Sequence, residues 1–472
     1  MTGYAYEYLA DALDAGAVTE AQLRTAATRT FRLRFQLGLF VSCHDIAGIW
    51  VAFFSRWQRY RCRQDDPALV PFSRFSASSI DTAEHRALAL QSAQSSLVLL
   101  RNHRGLLPLD ASKVKRLAII GPNANRSASL LSNYQGCRGT TGNFINKDDP
   151  SPPCRLITPL AGLRARLPQV ETTYHSGCSD VHCNTTTGFD AAVANAAAAD
   201  LAVVVVGLKP WTTPRPAGDY ADAEGEAHDR SLLGLPGEQA TLVKEILKKQ
   251  PRTVLVLMSG AAVSEPTLMR GASAAPAIVQ AFYGGEEAGT ALAKALFGDS
   301  PFGGKLPATI VPSLSQLPPY LTQQMSKAPG RTHRYFTQEP LFPFGFGLTT
   351  GAEIHYADAT ITPARISVAS PPANLTLEAT VSATTVASLR DAVTAIPEVV
   401  QVYFGLKGDL LSGQAVDREA GAASVPLHDL RAFRRVSVGA EKLKISFEIP
   451  VETLHLMQPS GEMGLTAGKW TV

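Results

Sequence analysis

Residues 203–239 read VVVVGLKPWTTPRPAGDYADAEGEAHDRSLLGLPGEQ. Val203 to Val206 is an unbroken β-branched run, the composition of a parallel strand covered on both faces, and Gly207 ends it. The chain that follows therefore leaves the carboxyl end of a strand, where open α/β sheets hold ligands and reactive groups. Pro214, Pro216 and Gly218 forbid a helix there. Within this loop stand Asp219, Asp222, Glu224, Glu226, His228, Asp229 and Arg230. A crowd of carboxylates in such a place is where chemistry is to be sought, against the plainer reading of a solvated acidic loop.

On either side the pattern repeats. DTAEHRALALQSAQSSLVLLRN offers Asp81 as a helix N-cap with Glu84 three positions on, and apolar residues then recur at helical spacing. Short apolar runs follow at LAIIG, LAVVVVGL, TVLVLM and AIVQAFY. Helical patterns separate them at FDAAVANAAAA, from about Pro236 to Lys249, and from about Glu286 to Phe297. Alternating strands and helices at this spacing predict an α/β sandwich around a doubly wound, mostly parallel sheet over 82–312. A Pro/Gly/aromatic connector, 313–353, comes next. Gly345 and Gly347 lie in it without the strand and helix a phosphate loop requires. From 354 to 472 short runs such as LTLEATVSAT, VVQVYFGL and LKISFEIP alternate with turn signals, which predicts a β-sandwich of the immunoglobulin or fibronectin kind.

The start of the chain differs. Residues 4–40 read as two helices, broken at Gly16, the second capped by Thr19; they are too few to form a domain alone. The segment VSCHDIAGIWVAFFSRWQRYRCR, 41–63, is aromatic and basic without a period. Its apolar centre, Ile46 to Phe54, falls well short of the roughly 20 residues a membrane span needs.

The whole chain has 472 residues, 45% hydrophobic and 18% charged, with a net charge of +3. This is an ordinary globular composition, and it offers no case for nucleic acid or an anionic membrane as partner. Six cysteines fall as close pairs, Cys43 and Cys62, Cys137 and Cys154, Cys178 and Cys183. That spacing suits small disulfide loops rather than a zinc site, so no metal is expected. With the sequons at Asn125, Asn184 and Asn374 it points to an oxidising, extracellular setting, although the N-terminus lacks the pattern of a signal peptide.

In their order, these segments resemble the C-terminal part of glycoside hydrolase family 3, in its β-xylosidase and α-arabinofuranosidase branch. The resemblance rests on LADALDAGAVTEAQLRTAATRTFRLRFQLGLF, HRALALQSAQSSLVLLRNHRGLLPL, IIGPNAN, GCSDVHC, EGEAHDRSLLGLPGEQ, YGGEEAGTALAKALFGDSPFGGKLP and RYFTQEPLFPFGFGLTT. It implies that 1–40 are the last helices of a (β/α)8 barrel, that 41–81 are a linker with an atypical insertion, and that 354–472 are fibronectin type III-like. It implies a retaining exo-glycosidase without a cofactor, acting on xylo- or arabino-oligosaccharides of the plant cell wall. The branch pattern Glu-x-Glu-x-x-Asp-Arg falls on Glu224, Glu226, Asp229 and Arg230. Glu224 is the first choice for the general acid/base and Glu226 the alternative, because spacing does not separate them. Asp229 and Arg230 are expected to pair and hold the loop, and His228 to sit beside it.

Two departures matter. The family nucleophile is an aspartate of a barrel strand lying before the LADALDAG helix. Asp11 and Asp14 are on that helix and Asp110 leads into the second domain, so none takes the role. The chain is expected to carry an acid/base without its nucleophile, and to be inactive or incomplete as it stands. Segment 41–63 has no family counterpart and reads as a retained intron, which removes Cys43 and Cys62 from the disulfide pairs. The alternative is a non-catalytic carbohydrate-binding or structural remnant.

Overall fold

A computed structural model describes residues 8–36, 75–131, 155–210, 223–224, 230–385, 395–406, 425–457, 462–466 and 468–472. The chain divides into two units, 1–86 and 87–472. In the first, helix α1 spans Leu9–Asp14 and α2 spans Glu20–Gln36. Gly16, at φ +67°, separates them. Thr19 caps α2 as expected: its hydroxyl oxygen accepts the Gln22 N–H at 3.2 Å. The segment 41–63, with Cys43 and Cys62, lies outside the described residues.

Helix α3 spans Ala83–Ser96. Its cap is not Asp81 but Thr82, whose Oγ1 accepts the His85 N–H at 3.2 Å. Asp81 instead grips the Arg86 guanidinium at 2.5 and 2.6 Å. The apolar residues after Ser96 do not extend the helix; Val98–Asn102 form strand β1.

The second unit continues with β2 (Arg116–Ile120), α4 (Pro159–Arg166), β3 (Glu171–His175), α5 (Phe189–Ala197) and β4 (Leu201–Gly207). Two-residue strands follow at Lys209–Pro210 (β5) and Ala223–Glu224 (β6). Next are α6 (Gln239–Lys249), β7 (Thr253–Met258), β8 (Ala277–Gln280) and α7 (Ala288–Leu296). The main sheet runs β1-β8-β7-β4-β2-β3, parallel except where β1 meets β8 antiparallel.

Strand β4 is buried at every position because both faces are covered. Leu201, Val203 and Val205 point into one core with α4 and α7; Ala202, Val204 and Val206 point into the other with α5 and α6. Each fully buried valine of this kind contributes on the order of 1.5–3 kcal/mol of burial, which is why the strand reads as a continuous apolar run. Strand β3 is the edge, half exposed, and its sequence ETTYH carries no such signature.

Beyond the connector lie two three-stranded antiparallel sheets. One is β13 (Leu443–Pro450), β10 (Asn374–Thr385) and β9 (Ala352–Thr362); the other is β12 (Asp429–Val438), β11 (Ile396–Leu406) and β14 (Trp470–Thr471). Leu377, Val381 and Phe447 of the first share one core with Val400, Val402 and Phe404 of the second, so the pair is a β-sandwich. Among the described residues no helix is long and apolar enough to cross a membrane.

Candidate active site

Three neighbouring parallel strands, β4, β7 and β8, send their carboxyl ends to one place. Gly207 closes β4 at φ +149°, and a Cβ on it would meet the Met258 carbonyl oxygen at 2.0 Å, so the position requires glycine. The fully buried Gln239 side chain seals this end: Gly207 N–H donates to its Oε1 at 2.8 Å and its Nε2 donates back to Gly207 O at 3.0 Å. The chain then leaves as β5 and returns as β6, with Pro210 opposite Glu224.

Glu224 is thus delivered to the turn after β7. Its Oε2 accepts the Gly260 N–H at 2.6 Å and its Oε1 the Ala261 N–H at 2.8 Å. The Tyr283 hydroxyl, just past β8, donates to Oε2 at 2.7 Å. Phe282, at φ +52°, makes the turn that carries Tyr283 there, a left-handed conformation that a bulky residue holds only under constraint. Burial, and then the charge and hydrogen bond of Glu224, push the Tyr283 hydroxyl well above the usual phenol range, so it remains a donor.

Arg230 Nη1 lies 3.8 Å from Glu224 Oε1, with side chains only 8% and 11% exposed. The same guanidinium donates to Ala262 O at 2.9 Å and Gly234 O at 3.0 Å, so it binds the loop to the turn that holds Glu224. Glu226, His228 and Asp229 lie outside the described residues, as do Asp219 and Asp222. Sequence reasoning found Glu224 and Arg230 but missed Gly260, Ala261, Tyr283 and Gln239. For Gln239 a signal existed: a glutamine closing EGEAHDRSLLGLPGEQ, in the first turn of a helix facing the strand.

Beside this end of the sheet, Cys178 and Cys183 form a disulfide with Cα atoms 4.9 Å apart. Within its loop His182 Nε2 is hydrogen-bonded to Lys209 Nζ of β5. Cys137 and Cys154 lie outside the described residues. Asn125, Asn184 and Asn374 are all exposed, so each sequon is open at the surface. Asp11 and Asp14 belong to α1. Asp110 is a cap, its carboxyl held down to about 2 by the Ser112 hydroxyl, then Lys113 and the Ser112 N–H.

The glycosyl hydrolase family 3 C-terminal domain model matches residues 97–350, which contain the whole sheet and the Glu224 site. The chain belongs to glycoside hydrolase family 3. It is 30% identical to a probable beta-D-xylosidase 6 of Arabidopsis thaliana over 73% of its own length and 38% of that protein's. It is equally identical to a beta-xylosidase/alpha-L-arabinofuranosidase 1 of Medicago sativa subsp. varia, over 75% of this chain and 39% of that one. Among solved structures, a family 3 exo-beta-xylosidase in complex with a xylobiose aziridine probe superposes with a TM-score of 0.67 at 22% identity, over 86% of this chain and 49% of that one. That likeness speaks for the fold alone. The family 3 chain spans about two fifths of the length of these plant relatives.

Proposed function

We propose that this family 3 chain supplies the acid/base half of a retaining exo-glycosidase that removes xylose or arabinose from the ends of plant cell-wall oligosaccharides. The observation that carries the reading is a carboxylate loop anchored at the carboxyl ends of three central strands, within the family domain. The disulfide at Cys178 and Cys183 agrees with an extracellular setting. Helices α1 and α2 are read as the last helices of a (β/α)8 barrel, and the C-terminal sandwich as fibronectin type III-like.

The anchoring argues for dividing the two glutamates. A general acid must hold a proton on one oxygen and pass it to the leaving group. Both oxygens of Glu224 already face donors: two backbone amides and a phenol. A proton placed there meets other protons and has no open path. Glu224 is therefore assigned to holding the loop, and Glu226, two residues on, to proton transfer. Retaining enzymes set the nucleophile about 5–5.5 Å from the acid/base; the nucleophile is assigned to a barrel strand outside residues 1–472.

The test is made in a protein that carries the barrel. Glu226→Ala should slow xylobiose by about 10²–10⁴-fold and an activated dinitrophenyl xyloside far less, with azide restoring the latter. Glu224→Ala should slow both alike and lower stability. The opposite pattern returns the acid/base role to Glu224. Turnover of 4-nitrophenyl β-xyloside by residues 1–472 alone, abolished by Glu226→Gln, would sink the placement of the nucleophile.

A further inference from the structure

The short loop closed by Cys178 and Cys183 lies against the carboxyl end of β4, and both cysteines are buried in the core shared with α5 and α6. Its backbone is held to one shape. Asp180 Oδ1 accepts the His182 N–H at 2.9 Å and the Cys183 N–H at 3.3 Å. Cys183 sits at φ +51°, a left-handed conformation that a residue with a Cβ keeps only under constraint. A loop constrained in these ways can serve its neighbours as a rigid support.

Two lines of contact run from it toward Glu224. The first passes through Gln239, whose Nε2 donates to Val181 O at 2.5 Å and to Gly207 O at 3.0 Å, while its Oε1 accepts the Gly207 N–H. The turn before Gln239 is moulded on the same loop: the Glu238 N–H donates to Cys183 O at 3.0 Å, and a Cβ on Gly237 would meet His182 O at 2.1 Å. The second line is a side-chain contact. The Lys209 ammonium donates to His182 Nε2, which places the ring proton on Nδ1. Lys209 stands opposite Ala223 in the β5–β6 ladder, as Pro210 stands opposite Glu224. Two residue pairs are too few to fix a ladder in place by themselves. It is held through Glu224 by Gly260, Ala261 and Tyr283, and through Lys209 and Gly207 by the disulfide loop.

We propose that the Cys178–Cys183 loop positions the Glu224 site, acting through His182 on Lys209 and through Val181 and Gln239 on Gly207. Its meaning for catalysis rests on the proposed glycosidase function; the mechanical link does not. Loss of the support frees the carboxylate loop before it frees the central strands, which are buried at every position of β4 and β7.

The experiment is amide hydrogen exchange on residues 1–472, read by mass spectrometry in peptides covering 201–210 and 253–265. The Gly260 and Ala261 amides, which donate to Glu224, report whether the carboxylate is in place; those of β7 report the sheet. His182→Ala, with the disulfide intact, should speed exchange at 260 and 261 by about three- to tenfold and leave β7 unchanged. His182→Gln, whose amide oxygen also accepts from an ammonium, should restore slow exchange. Cys178→Ser combined with Cys183→Ser should match the His182→Ala effect and extend it to the Gly207 amide, which Gln239 holds. Wild-type exchange at 260 and 261 in His182→Ala, or a rise shared equally by β7, overturns the proposal. The His182 variants decide the matter even where the double cysteine variant misfolds. No turnover enters the measurement, so failure of the acid/base assignment leaves the exchange result standing, and unchanged exchange leaves the glycosidase reading intact.

Discussion

Glu224 receives hydrogen bonds from Gly260, Ala261 and Tyr283, partners 36 to 59 residues downstream, and so joins three strand ends in one contact. At the scale of residues, that explains what sequence could and could not reveal. The loop's residue types marked it as a place for chemistry; Arg230 was expected beside Asp229, which lies outside the described residues, and it is found against Glu224, Ala262 and Gly234. The proposed division of the two glutamates rests on the backbone amides of Gly260 and Ala261, and these carry no signature in the side-chain pattern. The anchoring also predicts a cost. Tyr283→Phe removes a hydrogen bond to a charged group, a loss of about 1.5–3 kcal/mol, readable as a lower urea midpoint with unchanged slope. Because the ring stays in place, an unaltered midpoint would mean that the hydroxyl does not support the loop.

Among the elements, the legible ones were those buried on both faces or strongly periodic. The four strands β2, β4, β7 and β8 and the helices α5, α6 and α7 all lie where their apolar runs placed them. Edge strand β3 and the eight-residue α4 lay hidden, one for want of an apolar run, the other for want of length. Yet α4 is tightly specified. It packs on α7 through Gly162 and Gly289, and a Cβ on Gly162 would meet the Gly289 carbonyl oxygen at 2.1 Å and its Cα at 2.8 Å. Backbone cannot yield as a flexible side chain does. Gly162→Ala is therefore expected to destabilise by about 1–3 kcal/mol of overpacking or more, despite the usual gain in helix propensity. Chemical denaturation of the variant decides it, and a stabilised protein would show that the two helices slide apart freely.

At the scale of the molecule, alternation of strands and helices disclosed a doubly wound sheet. It did not disclose the strand order or the antiparallel β1, since periodicity records burial and not neighbours. Nor did it show how the connector joins the sandwich. There His333 stacks on Phe344 with ring centroids 4.1 Å apart and stands 5.7 Å from His428, beside Tyr403 of β11. The charges around them are Asp429, paired with Arg334 at 3.0 Å and Arg431 at 2.9 Å. Burial lowers the pKa of both histidines; for His333 the neighbouring His428 and Arg334 lower it further, against an opposing pull from Asp429. A histidine whose folded pKa is depressed takes up its proton more readily when unfolded. Its stabilising contribution is complete above the unfolded value near 6.5 and is lost as pH falls below it, through the lowered folded value. His333, the more enclosed of the two, should dominate. Stability followed by urea between about pH 7.5 and 5 should decline for the wild type and decline less for His333→Phe, which keeps the stack on Phe344 without a titrating nitrogen. Parallel slopes for the two proteins would place the acid sensitivity elsewhere in the fold.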